Sequence, residues 1–263
     1  MKYAVAILIL LVLCMNIPLD SFAETGKHGV YDTLKLRFDT NPNVCLFEVS
    51  PEIHDDWHTL KYVTVSAIEE WVDKLEYVYP DGDWSMDIKT ISWEEHVTKT
   101  VHHYTECNIM INYEKTSNSY ALGTTSLFFN QSWHKFMFIN VFLESQKSVT
   151  KIVLGNDINE STVEKIEQSY PLPINTIRNI VLHEFGHGLG LGHYDSPEPL
   201  HAYLQSSMTP SISPFDETQN LSVTYLDLAM IGLIYGENGW KLPSPAYHIN
   251  GCYIIDMYQF KCF

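Results

Sequence analysis

Positive charge is scarce in this chain of 263 residues, which has 16 Lys and Arg against 32 Asp and Glu. The formal net charge of −16 argues against nucleic acid as a partner, because a phosphate backbone attracts basic patches. Internal repeats and low-complexity linkers are also lacking, whereas apolar residues make up 45% of the chain. That apolar content is enough to bury a core, so the composition excludes global disorder.

Long apolar runs are absent except at the N-terminus, where "AVAILILLVLCMNI" spans 4–17. Lys2 precedes this run, and the small residues Ser21 and Ala23 follow it. This order is typical of a secretory signal peptide, which we expect to span 1–23 and to direct secretion. An uncleaved signal that anchors the protein to the cell surface is the alternative. Once the signal is removed, we expect no stable membrane span.

Cysteine is scarce as well, since only four remain outside the expected signal: Cys45, Cys107, Cys252 and Cys262. In an exported protein this number favours two disulfides, for which three connectivities exist. Cys252 and Cys262 are close in sequence and would close a small C-terminal loop, which leaves Cys45 to pair with Cys107. Reduced thiols, buried or reactive, are the alternative.

The hydrophobic pattern predicts strands and one helix in the first half of the chain and further helices in the second half. Alternation predicts strands at 33–40, 86–92, 107–113, 120–129 and 135–143. Helical spacing predicts helices at 55–80, at 175–190 with Asn175 as cap, and at 222–236 with Ser222 as cap. We expect a short helix near 161–168 in the polar stretch 144–172, and an irregular tail over 237–263. This order indicates the α+β class.

Three histidines stand close together in "IVLHEFGHGLGLGHY" (180–194). His183 and His187 are four residues apart, so on a helix both imidazoles emerge from one face and can bind one metal ion. Glu184 points about a quarter-turn away, where it can reach a water rather than the metal.

His193 can join the same site only if the helix stops and the chain turns. Gly190 is suited to that turn, because glycine enters left-handed backbone at little steric cost. Three neutral nitrogen ligands with an open fourth position are typical of a catalytic zinc site, although the sequence does not exclude other metals.

These positions match the signature H-E-x-x-H-x-x-G-x-x-H of the metzincin zinc endopeptidases, which a methionine turn follows. "SSMTP" (206–210) places Met208 where that turn is expected. Within the clan the chain is most similar to the matrixins, which "HEFGHGLGLGH" (183–193) and "LSVTYLDLAMIGLIYG" (221–236) resemble. The resemblance covers about residues 31–236.

The resemblance implies a metzincin-like zincin fold, with a mixed twisted sheet, an active-site helix and a mainly helical or irregular C-terminal subdomain. It implies a catalytic domain over 24–236, to which we add a C-terminal extension over 237–263, packed on the domain and disulfide-linked.

One catalytic Zn²⁺ and Glu184 as general base and acid would hydrolyse peptide bonds. Met208 would form a hydrophobic floor under the ion. Calcium is common in the family, but only "DGD" (81–83) suggests it here.

The substrate implied by the resemblance is an extended peptide or protein that adds as a strand to a sheet edge. The predicted edge is the start of "ALGTTSLFF" (121–129), at Ala121, Leu122 and Gly123. We expect a monomer.

The sequence departs from the matrixin pattern, since Tyr194 replaces the usual serine after the third histidine. The Pro-Arg-Cys-Gly switch of the family's propeptide is also absent. Two other functions therefore stay open: a secreted zinc-binding or adhesion module of the same fold without catalysis, and a zinc amidase acting on non-protein amides.

Overall fold

The computed structural model describes residues 30–33, 38, 40–99, 104, 106–116, 121–129, 135–154, 161–195, 206–236, 239–240, 252–256 and 259–262. The expected signal peptide, 1–23, lies outside these residues. Among the described residues, no helix combines the length and the apolar character that a membrane span requires.

Helices and strands are mixed along the chain, with most strands before the histidine-bearing helix. In order they are β1 (Val30–Thr33), β2 (Asn43–Phe47), α1 (Trp57–Val78), β3 (Asp87–Ile91), α2 (Trp93–Thr98), β4 (Ile109–Thr116), β5 (Gly123–Phe129), β6 (Lys135–Leu154), β7 (Ser161–Pro171), α3 (Ile174–Gly188), β8 (Leu191–Asp195), α4 (Tyr225–Tyr235), β9 (Cys252–Asp256) and β10 (Gln259–Cys262).

A mixed sheet lies at the centre, with the strand order β3-β2-β4-β6-β5. The pairs β2–β3, β2–β4 and β4–β6 are parallel, whereas β5 runs antiparallel to β6. β7 pairs antiparallel with the second half of β6, from Glu144 to Leu154. The architecture is therefore α+β with a mixed sheet, and β5 stands at one end of the strand order.

The two faces of the sheet carry different cores, because side chains alternate along each strand. Val44 and Leu46 belong to the main core, which also contains buried residues of α1 and α3. Cys45 and Phe47 belong to a smaller cluster with Cys107. The predicted disulfide between Cys45 and Cys107 is confirmed.

α1 and α3 pack against each other in the main core. α1 begins after Asp56, whose side chain accepts a hydrogen bond from the Thr59 amide at 3.0 Å. Its apolar stripe includes Trp71, whose indole Nε1 donates to the carbonyl oxygen of Leu182 in α3 at 3.0 Å. This bond links α1 to the turn of α3 that carries the histidines.

The elements predicted around 55–80, 86–92, 107–113, 120–129, 135–143, 175–190 and 222–236 are confirmed, with shifted ends. The predicted caps are wrong. Pro173 occupies the N-cap of α3, and Asn175 instead donates to the carbonyl oxygens of Glu217 and Gln219. Thr224 caps α4 rather than Ser222, because it forms a reciprocal capping box with Asp227.

The short helix predicted near 161–168 is wrong, since these residues lie in β7. Every residue from Ser161 to Pro171 is paired with the second half of β6. Pairing with a strand that lies earlier in the chain supplies backbone hydrogen bonds that a local polar pattern does not reveal.

Two small antiparallel pairs complete the structure: β1 with β8, and β9 with β10. The expectation of an irregular tail is therefore wrong for 252–256 and 259–262, which form a two-stranded antiparallel ribbon. Its register places Cys262 opposite Cys252, although their side chains lie outside the described part and the bridge stays a prediction. The strand predicted at 33–40 begins where β1 ends, and residues 34–37 and 39 lie outside the described residues.

Candidate metal centre

Three histidine nitrogens converge at the C-terminal end of α3. The Nε2 atoms of His183 and His187 are 3.1 Å apart, and each lies 3.3 Å from Nε2 of His193. Within the part of the chain that the structure describes, these three residues form the one group of His, Cys, Asp or Glu able to share a metal ion. The predicted ligands are thus brought together at a site that could hold a metal.

The turn after α3 brings the third histidine back toward the other two. The amide of Gly190 donates to the carbonyl oxygen of His187 at 3.0 Å, and Gly190 has a φ of 102°. The chain then enters β8, which contains His193. The hydroxyl of Tyr235 donates to the carbonyl oxygen of Leu189 at 3.0 Å, which fixes the turn to the last residue of α4.

Backbone carbonyl groups orient the two helical histidines. Nδ1 of His183 lies 2.8 Å from the carbonyl oxygen of Ser207, and Nδ1 of His187 lies 2.7 Å from that of Leu191. Because a carbonyl oxygen only accepts hydrogen bonds, each Nδ1 carries the proton. Each Nε2 therefore presents a lone pair toward the centre of the group, as a metal ligand must.

Burial favours the neutral imidazole at both positions. It lowers the pKa of His183 to about 3, and the neighbouring His187 adds to this effect. Burial likewise lowers the pKa of His187 to about 4. The hydrogen bonds to Ser207 and Leu191 act in the opposite direction but are weaker. Neither histidine needs to release a proton before it binds a metal at neutral pH.

Glu184 lies beside the histidines with only 6% of its surface exposed. Burial raises the pKa of its carboxyl to about 7, while a hydrogen bond from Thr125 acts to lower it. A carboxyl with this pKa can both accept and release a proton near neutral pH, as a general base and acid must. Glu184, the predicted general base, is thus a buried carboxyl directly after the first histidine of the group.

Met208 packs against α3 at Gly186, the residue before His187. It is fully buried, and a Cβ added to Gly186 would fall 2.2 Å from its Sδ. Its carbonyl oxygen accepts a hydrogen bond from the Tyr194 amide in β8 at 2.8 Å. The predicted turn thus contacts both the helix and the strand that carry the histidines.

Asp227, which the sequence reading missed, organises this turn from α4. It is fully buried, and its carboxylate accepts hydrogen bonds from the Ser206 hydroxyl, from the Ser207 amide and hydroxyl, and from Thr224. The pattern Thr-x-x-Asp at 224–227 is a capping-box signature and could have indicated a structural role. Its link to 206–207 lies beyond any local pattern.

Of the three predicted edge residues, Gly123 lies next to Glu184. Gly123 begins β5, and the carbonyl oxygen of Leu122 accepts a hydrogen bond from the Phe142 amide at 3.0 Å. Ala121 precedes β5 and is half-buried. Thr125, which the sequence reading also missed, contacts Glu184 directly.

The "DGD" segment at 81–83 belongs to no metal-binding group among the described residues. The carboxylate of Asp83 accepts a hydrogen bond from the Ser85 hydroxyl at 2.8 Å.

The comparisons with known proteins add nothing to the site, since no family model matches the chain and no curated protein matches it.

Proposed function

We propose that this protein is a secreted zinc-dependent endopeptidase with Glu184 as general base. The observation that carries the proposal is the separation of the three Nε2 atoms, 3.1–3.3 Å. Ligands at 2.0–2.1 Å from a tetrahedral zinc ion lie about 3.3 Å apart. The donor set therefore fits zinc both in its chemistry and in its spacing.

The composition of the site favours a catalytic ion over a purely structural one. Among the described residues three histidines converge, whereas structural zinc sites use four protein ligands. A buried carboxyl also stands next to the first ligand. When bound, the ion supplies Lewis acidity, which polarises a peptide carbonyl and acidifies water.

The residues of the chain would then perform the proton transfers. Nδ1–H of His183 and of His187 stays bound to a backbone carbonyl, which keeps both ligands neutral and oriented. The Glu184 carboxylate accepts the proton of the attacking water and returns it to the leaving amine nitrogen. No serine or cysteine nucleophile is required.

The position of β5 supports an extended peptide as the substrate. Within the described strands β5 pairs only with β6, and its first residue lies against Glu184. An extended peptide that pairs with the other edge of β5 would pass beside this carboxyl. This arrangement, together with the motif and Met208, supports the assignment to the metzincins and, within them, the likeness to matrixins.

The test is cleavage of an unfolded protein by the purified chain. We expect a chelator to stop cleavage and added zinc to restore it. Glu184→Gln should keep one zinc per chain and lose about 10²- to 10⁴-fold in kcat, because the general base is removed. Glu217→Gln, at an exposed carboxyl, is the matched control and should cleave at the wild-type rate.

Two results would contradict the proposal. A Glu184→Gln protein as active as the wild type would remove the role of Glu184. A folded, zinc-loaded wild type that hydrolyses no peptide bond would leave a zinc-binding module or an enzyme for other amides.

A further inference from the structure

The hydroxyl of Thr125 meets Glu184 at two atoms. Oγ1 of Thr125 lies 2.7 Å from Oε2 of Glu184 and 3.0 Å from the carbonyl oxygen of the same residue. Both of these oxygens accept hydrogen bonds when the carboxyl is charged, so the hydroxyl is the donor. The bond joins β5 to α3 across 59 positions of the sequence.

Gly123 contacts the same side chain from the same strand. It lies two residues before Thr125, so both face α3 from β5. A Cβ added to Gly123 would fall 2.7 Å from Cγ and from Oε1 of Glu184. The backbone of β5 therefore lies directly against the glutamate, and only glycine leaves room for it there.

Together, Gly123 and Thr125 form what we call the Glu184 seat. A glutamate side chain has several rotatable bonds, and a general base must hold its carboxylate in one orientation. Gly123 limits the position of the side chain by contact, and Thr125 fixes one of its oxygens by a hydrogen bond. The seat belongs to β5, the strand proposed to pair with the substrate.

We infer that Thr125 is a positioning residue, which fixes the Glu184 carboxylate relative to both the three histidines and a peptide bound along β5. The inference rests on the proposed function, since it assigns how the general base is oriented. It predicts that substrate alignment and base alignment depend on the same short stretch of strand.

The hydroxyl can be tested by two substitutions at one position. Thr125→Val keeps the shape but removes the donor, and we expect kcat to fall about 10- to 100-fold while KM and zinc content change little. Thr125→Ser retains the donor and should stay within about 3-fold of the wild type. Thr116→Val, at an exposed position of β4, which does not pair with β5, is the matched control and should be fully active.

A second measurement does not depend on cleavage. Urea unfolding of the metal-free wild type, Thr125→Val, Glu184→Ala and the double variant forms a double-mutant cycle. We expect Thr125→Val to lower stability more in the wild type than in Glu184→Ala, because that variant has lost the bond to Oε2 and keeps only the bond to the backbone carbonyl. Additive effects would show that the bond to the Glu184 carboxylate does not form and would overturn the inference.

The outcomes separate the two proposals. An active wild type whose Thr125→Val variant is equally active would overturn the positioning role alone. A Thr125→Ser variant as impaired as Thr125→Val would also overturn it, because the donor would then not be the relevant feature. A zinc-loaded wild type without any cleavage would overturn the proposed function, and the positioning role with it.

Discussion

At the scale of single residues, the candidate metal centre depends on side chains that are not themselves candidate ligands. Asp227 is the clearest case, because its carboxylate holds Ser207, and the carbonyl oxygen of Ser207 accepts the Nδ1–H of His183. A buried carboxylate of α4 thereby orients a candidate metal ligand. Partners of this kind tune metal sites, and their loss costs about 10- to 100-fold in affinity.

We therefore predict that Asp227→Asn weakens zinc binding and lowers the free energy of unfolding. An amide places an NH₂ group where Ser207 and Thr224 donate, so about 3 kcal/mol of stability should be lost. Urea unfolding and competition with a chelating dye measure the two effects. Asp73→Asn, at an exposed position of α1, is the matched control. Unchanged zinc affinity in a destabilised Asp227→Asn protein would contradict the link to His183.

The residues that could be predicted from the sequence are those that lie close together in it. One helix carries His183, Glu184 and His187, and the chain reverses at Gly190 just before His193. Their spacing in the sequence is therefore enough to predict that they come together. Thr125 and Asp227 reach the site from β5 and α4, across 59 and 20 positions. No local pattern encodes such contacts, because they depend on how the elements pack.

At the scale of elements, the turn between α3 and β8 decides whether the third histidine reaches the other two. Gly190 has a φ of 102°, in the region that L side chains rarely adopt. The Tyr235 hydroxyl and the Gly190 amide hold the turn on both sides. The strain of a larger residue therefore cannot be relieved without moving β8.

We predict that Gly190→Ala costs about 1–3 kcal/mol of stability and lowers zinc affinity, because the strain displaces His193. The matched control is Gly188→Ala, where an added Cβ would meet Ile139 at an ordinary 3.6 Å. Thermal unfolding and zinc titration of both variants make the comparison. Equal zinc affinity for the two alanine variants would argue that the turn does not position His193.

The type of an element could be predicted where its buried residues recur periodically. The prediction was wrong where the segment pairs with a strand that has no signal in the local sequence. The stripe of buried residues on α1 gave its position to within two residues at either end, 57–78 against the expected 55–80. The polar segment 161–171 gave no such signal, and its partner strand in β6 decided its conformation. The prediction of Asn175 as a helix cap was wrong for a related reason. Its side chain donates hydrogen bonds to the loop before α4 rather than capping its own helix.

At the scale of the whole molecule, the sheet separates the candidate metal centre from the disulfide. α1 and α3 pack in the main core together with Val44 and Leu46, whereas Cys45, Cys107 and Met110 form the smaller cluster with Phe47. β2 contributes alternate residues to the two clusters. A change in the smaller cluster can thus alter stability without touching the histidines.

The disulfide should act mainly on the unfolded chain. Cys45 and Cys107 are 62 residues apart, and closing a loop of that length restricts the unfolded chain by about 4 kcal/mol. In the folded state Cys45 lies in β2 and Cys107 lies just before the neighbouring parallel strand β4, and both are buried in the smaller cluster. We therefore expect the histidine site to form without the bridge.

We predict that Cys45→Ala/Cys107→Ala lowers the free energy of unfolding by about 4 kcal/mol but leaves zinc affinity unchanged. Wild type treated with a reductant should behave like the variant, because both lack the cross-link. Urea unfolding and zinc titration of the three samples make the test. A parallel loss of zinc affinity would mean that the two faces of the sheet are coupled, and that the histidine site depends on the bridge.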